Sequence, residues 1–283
     1  MSNQQRMAIL GGRGMLGTDL HKAAVRHGFE VAVFDLPEFD ITNEQDLHKA
    51  IADCDIVVNC AAYTNVDGAE TNSETAYAVN AAAVENLGRL AARAGKYILH
   101  VSTDFVFDGR KETPYVETDT PNPLGTYGKT KLQGEQLLAK TGCRHAIVRV
   151  QWTYGIASSN FVSKMIQLAK SGRPLKVIDD QVGSPTATTE VAAAICELLA
   201  HNPRPEGLFH YAAAGYVNRY EQARFIFDTL KLDVDLSPCR STDYVTPAQR
   251  PLNSRFDCRK IQQYLRQPIR PWQQPLREFL EQI

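Results

Sequence analysis

The sequence predicts an α/β fold in which a doubly wound parallel sheet carries a smaller, interleaved C-terminal domain. Short apolar runs alternate with stretches of helical period, which is the pattern of strand–helix–strand units. A glycine-rich turn joins the first apolar run to the first helical stretch. The last third of the chain departs from this alternation, because prolines break it into short pieces. These prolines lie at positions 238, 247, 251, 268, 271 and 275.

Six apolar runs are predicted to be strands, and most of the stretches between them have a helical period. The predicted strands are 7–10, 30–35, 55–60, 97–101, 146–150 and 208–212, with a short extended segment at 175–178. The predicted helices are 16–28, one starting at 46, 73–94, one starting at 127, 160–169, 190–200 and 220–230. Parallel strands place their carboxyl ends at one edge of the sheet, so a ligand is expected at that edge.

Gly11, Gly14 and Gly17 follow the first predicted strand with the spacing Gly-x-x-Gly-x-x-Gly. Glycine lets the backbone turn tightly, and the free N–H groups at the start of a helix attract a pyrophosphate. The context of strand, turn and helix indicates a Rossmann-type dinucleotide site rather than an ordinary turn. Asp35 ends the second strand, 35 − 17 = 18 residues past the last glycine. At about this distance a carboxylate reaches the adenosine ribose.

Tyr127 and Lys131 open a predicted helix and lie four residues apart, so they share one helix face. A lysine held beside a phenol is expected to lower the pKa of the tyrosine and make it a better proton donor and acceptor. Thr103, just past the fourth strand, can share a hydrogen bond to a substrate oxygen. Tyr-x-x-x-Lys is also common on solvated helix faces, and it gains weight here from the dinucleotide site upstream.

The composition excludes several classes of function. Lys+Arg 31 against Asp+Glu 32 gives a net charge of −1, so we expect no nucleic-acid partner and no attraction to a membrane surface. No apolar run approaches the roughly 18 residues of a spanning helix, and residues 1–6 lack a signal-peptide pattern. Six cysteines without a Cys-x-x-Cys pair indicate reduced thiols and a cytoplasmic location.

With these residues identified, the sequence resembles the extended short-chain dehydrogenase/reductases over nearly its full length. The pattern Tyr-Thr-x-Val-Asp-x-Ala-Glu at 63–70 and the pattern Ser-Thr-Asp-x-Val-Phe-x-Gly at 102–109 are specific to one branch of that family. Tyr-x-x-x-Lys is shared by the whole family. The matching segments are 59–70, 100–109, 123–135, 180–186 and 250–254.

The resemblance assigns roles to individual residues. It implies that Thr103, Tyr127 and Lys131 are the catalytic set. The cofactor would contact Gly11, Gly14, Met15, Leu16, Asp35, Asp40, Ile41, Ala61, Ala62, Tyr63 and Asn80, together with Tyr127 and Lys131. The substrate would contact Val66, Thr103, Asp104, Phe105, Trp152, Asn160 and Arg250. Without the resemblance, Trp152 could be a core residue, Asn160 a helix N-cap and Arg250 a surface residue.

The domain organisation follows from these assignments. Residues 1–151, with about 180–215 returning to them, are expected to form a dinucleotide-binding domain. Residues 152–179 and 216–283 are expected to form a substrate-binding domain that closes over the strand ends.

The branch that the sequence resembles implies an NAD(P)H-dependent reduction of a C4 ketone. The substrate would be dTDP-4-dehydro-6-deoxy-L-mannose and the product dTDP-L-rhamnose, in dTDP-rhamnose biosynthesis. Two alternatives stay open at this point. One is another nucleotide-sugar reductase or epimerase of the extended family, and the other is a non-catalytic regulatory subunit of the methionine adenosyltransferase type.

NADPH and NADH are both expected cofactors, because two signals oppose each other. Asp35 favours a ribose hydroxyl, whereas Arg13 could pair with the 2′-phosphate of NADPH. No metal is predicted, although some family members bind magnesium through glutamates at a dimer interface. Glu190, Glu278 and Glu281 are available for such a site, but helical glutamates are usually solvated. The protein is expected to be a monomer or a homodimer.

Overall fold

The computed structural model describes residues 4–283, and its centre is a parallel β-sheet. Residues 1–3, part of the segment expected to lack a signal peptide, lie outside the described residues. The strands are β1 Arg6–Leu10, β2 Glu30–Phe34, β3 Ile56–Asn59, β4 Tyr97–Thr103, β5 Arg144–Val150, β6 Thr153–Tyr154, β7 Leu175–Ile178, β8 Val182–Gly183, β9 Thr186–Ala187, β10 Gly207–Tyr211, β11 Val217–Asn218 and β12 Leu236–Cys239.

Six of these strands form the main sheet in the order β10-β5-β4-β3-β1-β2. Every neighbouring pair in this sheet is parallel. The chain leaves β1 in one direction to reach β2 and then returns to the other side of β1 to form β3. The carboxyl ends of β1 and β3 therefore flank the switch point where doubly wound sheets bind ligands. The predicted fold class is confirmed.

The helices connect the strands and cover the sheet. They are α1 Met15–Arg26, α2 Glu44–Ala52, α3 Ser73–Tyr77, α4 Ala83–Ala94, α5 Thr126–Lys140, α6 Phe161–Ala169, α7 Thr188–Ala200, α8 Arg219–Leu230, α9 Arg259–Gln262 and α10 Gln273–Leu280. Among residues 4–283, the helices lack the length or the apolar character needed to cross a membrane.

The prediction of a single helix over 73–94 is wrong in the middle of that range. A π-helical turn over Ala78–Ala82 separates α3 from α4. Asn80 lies in this turn and is fully buried. Its amide hydrogen-bonds the backbone of Tyr63 and the hydroxyl of Thr130, so the wider turn directs a polar side chain into the interior. Helical periodicity alone does not reveal such a turn.

Two hydrophobic cores lie on opposite faces of the sheet. On one face, Leu20 and Ala24 of α1 pack with Ile195 of α7 against the strands. On the other face, residues of α2, α4 and α5 form the second core, which includes Leu87 and Leu138. Because both faces are covered, β1 and β3 are buried almost throughout, which explains why they are continuous apolar runs.

A third hydrophobic core is formed by α6, α8 and α10 and lies apart from the main sheet. It includes Val162, Ile226, Trp272 and Leu276. In contrast, α7 packs on α1, and β10 pairs with β5 in the main sheet. The predicted boundaries of the two domains are compatible with this arrangement and stay a prediction. The proline-rich end of the chain, predicted as short pieces, also contains β12, α9 and α10.

A buried ion pair joins α5 to β5. Arg149 and Glu135 have side-chain exposures of 2% and 6%, and two N–O contacts of 2.8 and 2.5 Å make the pair bidentate. The Arg149 guanidinium also lies over the ring of Phe107. Removing one member of a buried pair leaves a charge without compensation in a medium of low polarity.

Arg149→Met should therefore lower the free energy of unfolding by roughly 3 to 5 kcal/mol, because Glu135 stays buried without its partner. The double variant Arg149→Met/Glu135→Leu should lose less than this single variant. Chemical denaturation of both proteins measures the difference.

The Arg144–Glu206 pair provides the matched control, because Arg144 lies on the same strand and both side chains are about half exposed. Arg144→Met should change the free energy of unfolding by about 1 kcal/mol or less. An equal effect at the two sites would contradict the assignment of Arg149 as a buried, compensated charge.

Candidate active site

The glycine turn after β1 packs closely on the segment that follows β3 and leads into the start of α1. Gly11 has φ +72°, and a Cβ at this position would lie 2.7 Å from the backbone nitrogen of Ala61. Gly14 is the N-cap of the 12-residue α1, and no side chain caps the first turn. The backbone N–H groups of that turn, which begins at Met15 and Leu16, are therefore available to a pyrophosphate.

Asp35 lies at the end of β2, beside the glycine turn, as predicted. Its carboxylate accepts hydrogen bonds from the backbone N–H of Arg13 at 2.7 Å and of Leu36 at 2.8 Å. The Arg13 guanidinium forms an ion pair with Glu38, with an N–O distance of 2.7 Å. This exposed pair lies at the edge of the site and can open at little energetic cost.

Two further residues predicted at the adenosine end lie in different environments. Asp40 is exposed, and its carboxylate accepts hydrogen bonds from the backbone and hydroxyl of Thr42. Ile41 is buried and belongs to the core under α2. Asp40 thus has exposed polar atoms, whereas Ile41 offers a ligand little surface, and contact of either residue with a cofactor stays a prediction.

The segment after β3 is predicted to form the next part of the cofactor channel. Ala61, Ala62 and Tyr63 are partly exposed there, as expected for a wall against which a flat ring can lie. Asn80 was predicted to line the same channel, but it has no exposed surface. Its hydrogen bonds hold the backbone of Tyr63, so Asn80 positions the channel wall from behind.

These features fit a dinucleotide cofactor. Gly11 allows a tight turn against the backbone of Ala61, the start of α1 is uncapped, and a carboxylate lies at the end of β2. The combination supplies donors for the phosphates and an acceptor for a ribose hydroxyl.

Strand β4 and helix α5 bring the predicted catalytic residues together. The Thr103 side chain accepts a hydrogen bond from the backbone N–H of Phe105, which fixes the chain at the end of β4. The ring of Phe105 packs edge-on against that of Tyr127, with 5.5 Å between the centroids. Glu70 caps the start of α5 by accepting hydrogen bonds from the N–H and hydroxyl of Thr126. Sequence analysis missed this role of Glu70, although it ends one of the recognised motifs.

Lys131 lies one helical turn after Tyr127 and is buried beneath β4. Its Nζ donates to the carbonyl oxygen of Val101 at 2.8 Å and lies 3.3 Å from Nε2 of His100. Burial lowers the pKa of Lys131 to about 8, against the opposing effects of Glu135 and Cys60. The side chain can therefore change its charge within the physiological range of pH.

The predicted lowering of the tyrosine pKa is wrong for the protein without ligands. Burial raises the pKa of Tyr127 to about 12, and the nearby Thr103 hydroxyl only partly opposes this effect. Desolvation dominates because it disfavours the charged phenolate. Tyr127 therefore keeps its proton near neutral pH, which suits a group that donates a proton to a substrate.

A cavity of about 880 Å³ lies beside this site. Its walls come from the ends of β4 and β5, from α6, β7 and α8, and from the segment 241–251. Phe105, Trp152 and Arg250, three of the predicted substrate residues, line it. Its charged lining residues are Asp67, Lys164, Lys176, Arg219 and Arg250.

Arg219, the first residue of α8, was missed by sequence analysis. Its guanidinium lies 3.4 Å from the ring centroid of Trp152 and 4.7 Å from that of Phe161. Its side chain donates to Gln222, and burial lowers its pKa to about 9 although Asp104 acts in the opposite direction. No local pattern in the sequence identifies a residue of this kind, because its neighbours come from distant parts of the chain.

Asp104 follows Thr103 and is almost fully buried. One carboxylate oxygen accepts a hydrogen bond from Thr103, at 3.1 Å, and the other has no partner among the described residues. Burial raises the pKa of Asp104 to about 6. An unpartnered buried carboxylate oxygen is costly unless a ligand supplies a donor, which supports a role in substrate binding.

The remaining substrate predictions have structural partners of their own. Arg250 forms a bidentate pair with Asp67, with N–O distances of 3.0 and 2.7 Å, so its fork is already engaged at the cavity wall. Asn160 caps α6 and donates to the carbonyl oxygen of Gly155. Val66 precedes Asp67 and is partly exposed. Contact of these residues with a substrate stays a prediction.

The glutamates considered for magnesium are engaged by an arginine. Arg270 pairs with Glu190 at 2.9 Å and with Glu278 at 2.6 Å. Glu281 is exposed at the end of α10. The described part of the chain contains no cluster of three or more potential metal ligands from His, Cys, Asp and Glu.

Comparisons with known proteins agree with this geometry. A family model described as RmlD substrate binding domain matches residues 5–283. The chain is 38% identical over 288 residues to a dTDP-4-dehydrorhamnose reductase of Aggregatibacter actinomycetemcomitans, covering 97% of this chain and 98% of that protein.

Two solved structures are also similar to the whole chain. The dTDP-4-dehydrorhamnose reductase of Clostridium acetobutylicum has a TM-score of 0.92 and 35% identity, covering 98% of this chain and 99% of the other. The enzyme of Bacillus anthracis, solved in complex with NADP, has a TM-score of 0.94 and 30% identity, covering 99% of this chain and 100% of the other. The chain therefore belongs to the dTDP-4-dehydrorhamnose reductase family.

Proposed function

We propose that this protein reduces the C4 ketone of dTDP-4-dehydro-6-deoxy-L-mannose with NADPH or NADH and forms dTDP-L-rhamnose. The observation that carries the proposal is the packing of the end of β4, which carries Thr103, against the start of α5, which carries Tyr127 and, one turn later, Lys131. Members of the family at 38% and 35% identity bear the name of this reductase.

The nicotinamide, when bound, supplies a hydride to the substrate carbonyl carbon. Tyr127 would donate its proton to the carbonyl oxygen as negative charge develops there. The Thr103 hydroxyl would donate a hydrogen bond to the same oxygen and hold it against the phenol. The raised pKa of Tyr127 supports this direction of transfer, because the group is protonated before reaction.

Lys131 would act from behind the tyrosine. Its Nζ donates one hydrogen bond to the Val101 carbonyl oxygen, and a remaining donor could contact a ribose hydroxyl. The charge of Lys131 would also act on the phenol of Tyr127. Because burial lowers the pKa of Lys131 to about 8, small changes in its surroundings alter the charge beside the site.

The cavity supports a nucleotide-sugar substrate. Its lining includes four cationic side chains, Lys164, Lys176, Arg219 and Arg250, and one carboxylate, Asp67. This balance favours a diphosphate, and aromatic rings such as those of Phe105 and Trp152 can pack against the apolar face of a sugar. The nucleotide diphosphate would then contribute binding energy that positions C4 at the catalytic residues.

The function is tested by incubating the purified protein with NADPH and either dTDP-4-dehydro-6-deoxy-L-mannose or the free 4-ketosugar. We expect oxidation of NADPH and formation of dTDP-L-rhamnose with the dTDP-sugar, and a much lower kcat/KM with the free sugar. Conversion without net oxidation of NADPH would indicate an epimerase. No turnover of either compound would favour the regulatory-subunit alternative.

In the same assay, Tyr127→Phe should lower kcat by roughly 10²-fold or more, because the variant lacks the proton donor. Binding of NADPH should change little, since the pyrophosphate contacts lie at the glycine turn. Tyr77→Phe, which alters an exposed tyrosine on α3, is the control and should keep the parental rate. Near-parental turnover by Tyr127→Phe would exclude the proposed role.

The choice of cofactor depends on Arg13 and Asp35. The parent protein should use NADPH and NADH with less than about a tenfold preference, because the carboxylate and the guanidinium favour different cofactors. Arg13→Ala should lower kcat/KM for NADPH by roughly threefold to tenfold and leave that for NADH nearly unchanged.

Glu38→Gln is the matched control, because it frees Arg13 from its exposed ion pair. This variant should keep or raise kcat/KM for NADPH. Equal losses with both cofactors in Arg13→Ala would show that Arg13 does not contact a 2′-phosphate.

We expect that the buried, ionised carboxylate of Asp104 lowers the free energy of unfolding and contributes to substrate binding. Its pKa is about 6 in the folded protein, against 3.8 in a model compound, so the folded state binds the proton more tightly. The parent should therefore lose roughly 2 to 3 kcal/mol of stability as pH rises from about 4 to about 6. Asp104→Asn should remove this loss and lower kcat/KM for the dTDP-sugar by roughly tenfold or more.

Chemical denaturation of Asp104→Asn and the parent between pH 4 and pH 8 measures the effect as a difference between the two proteins. For Asp108→Asn, the difference in the free energy of unfolding from the parent should change with pH in the opposite direction. Burial raises the pKa of Asp108, but hydrogen bonds from Arg110 and Asn122 outweigh this effect and lower it. A pH-independent difference between Asp104→Asn and the parent would contradict the burial argument.

A further inference from the structure

Three buried polar side chains lie in a row behind the catalytic helix. Asn59 ends β3, His100 lies on β4 and Lys131 lies on α5, and their residues are 0%, 0% and 2% exposed. Asn59 Nδ2 is 3.1 Å from His100 Nδ1, and His100 Nε2 is 3.3 Å from Lys131 Nζ. Neither Asn59 nor His100 has a role in the reaction described above.

The orientation of the Asn59 amide is determined by the backbone. The N–H of Ala61 donates a hydrogen bond to Asn59 Oδ1 at 3.0 Å, and a backbone N–H can only donate. The other end of the amide is therefore the NH₂ group, which also can only donate. Since this group faces His100 Nδ1, that ring nitrogen must be the acceptor.

The orientation of the amide determines the tautomer of the imidazole. A neutral histidine has one acceptor nitrogen and one N–H group, so an acceptor at Nδ1 places the proton on Nε2. Burial and the nearby Lys131 lower the pKa of His100 well below its ordinary value, so the ring is neutral. The Nε2–H group then faces Lys131 Nζ.

This N–H group can form a hydrogen bond with a neutral amine but not with an ammonium. An ammonium has three donors and no lone pair, whereas a neutral amine has a lone pair that accepts. The neutral amine can accept from His100 Nε2–H and still donate to the carbonyl oxygen of Val101, 2.8 Å away. In that state each polar side-chain atom of Asn59, His100 and Lys131 has at least one partner of the matching type.

We propose that Asn59 and His100 are positioning residues that hold the imidazole with its proton on Nε2 and thereby favour the neutral form of Lys131 before the cofactor binds. The consequence for catalysis depends on the proposed function, in which Lys131 sets the electrostatics beside Tyr127. An acceptor that enters the site, such as a ribose hydroxyl oxygen, would shift Lys131 further toward the ammonium.

Other titratable groups lie near these three side chains, but they do not override the preference for the neutral form of Lys131. Glu135, one turn after Lys131, favours the ammonium, but its charge is compensated by the bidentate pair with Arg149. Cys60, beside β3, is a neutral thiol, because burial raises its pKa to about 12. On β5, His145 is close enough to contribute to the lowered pKa of His100, and its Nδ1 hydrogen-bonds to the carbonyl oxygen of Cys143. The lowered pKa of Lys131, about 8, has the expected direction.

The tautomer can be measured directly by ¹⁵N NMR of the imidazole rings in the cofactor-free protein near neutral pH. The His100 signals are assigned through the backbone and by their loss in His100→Phe. We expect an unprotonated Nδ1 and a protonated Nε2. A protonated Nδ1, or a doubly protonated ring, would overturn the proposal. This readout needs no turnover, so it is independent of whether the proposed reaction is correct, and it remains decisive if His100→Phe does not fold.

The charge of Lys131 gives a second test with a predicted sign. In an NMR titration of lysine labelled with ¹³C at Cε, His100→Phe should raise the pKa of Lys131 by about 1 pH unit, equivalent to about one hydrogen bond to the neutral amine. If Nε2 were instead an acceptor for the ammonium, the same change should lower the pKa. Lys131→Met assigns the signal.

His145→Phe is the matched control, because it removes a second imidazole near His100 without touching Lys131. It should leave the pKa of Lys131 unchanged. A lowered pKa in His100→Phe, or equal shifts in the two variants, would overturn the proposal.

Discussion

The candidate site depends on the burial of Lys131 beneath β4. The hydrogen bond from its Nζ to the Val101 carbonyl oxygen fastens α5 to the strand that ends in Thr103. Because Tyr127 lies one turn earlier on the same helix, this contact also helps to hold the phenol beside Thr103. The same burial desolvates both side chains, so the lysine loses its proton more readily and the tyrosine less readily than in water.

Much of the fold and part of the site could be predicted from local patterns. The six strands of the main sheet, the glycine turn at Gly11 and the carboxylate of Asp35 follow from apolar runs and from spacing along the chain. Spacing is a property of the local sequence. The regular geometry of a helix or strand determines from this spacing which side chains point to the same face. For the same reason, the separation of Tyr127 and Lys131 correctly placed both residues on one helix.

Other features depend on contacts between distant parts of the chain and leave no local signal. Arg219 lies between rings that come from two other segments, and Glu70 caps a helix that begins 56 residues later. The direction of the Tyr127 pKa also depends on tertiary burial, which the four-residue spacing does not contain. The π-helical turn at Asn80 is similar, because the side chain that it turns inward hydrogen-bonds to Thr130, 50 residues away.

The central claim is that this arrangement transfers a hydride to C4 of a nucleotide-linked ketosugar. The most direct measurement uses NADPH with deuterium at the transferable position of the nicotinamide C4 and locates the label in the isolated product by NMR. We predict that the deuterium is found at the sugar C4 and that one NADPH is oxidised for each product formed. A product without deuterium at C4, or conversion of the sugar with no net consumption of NADPH, would contradict it.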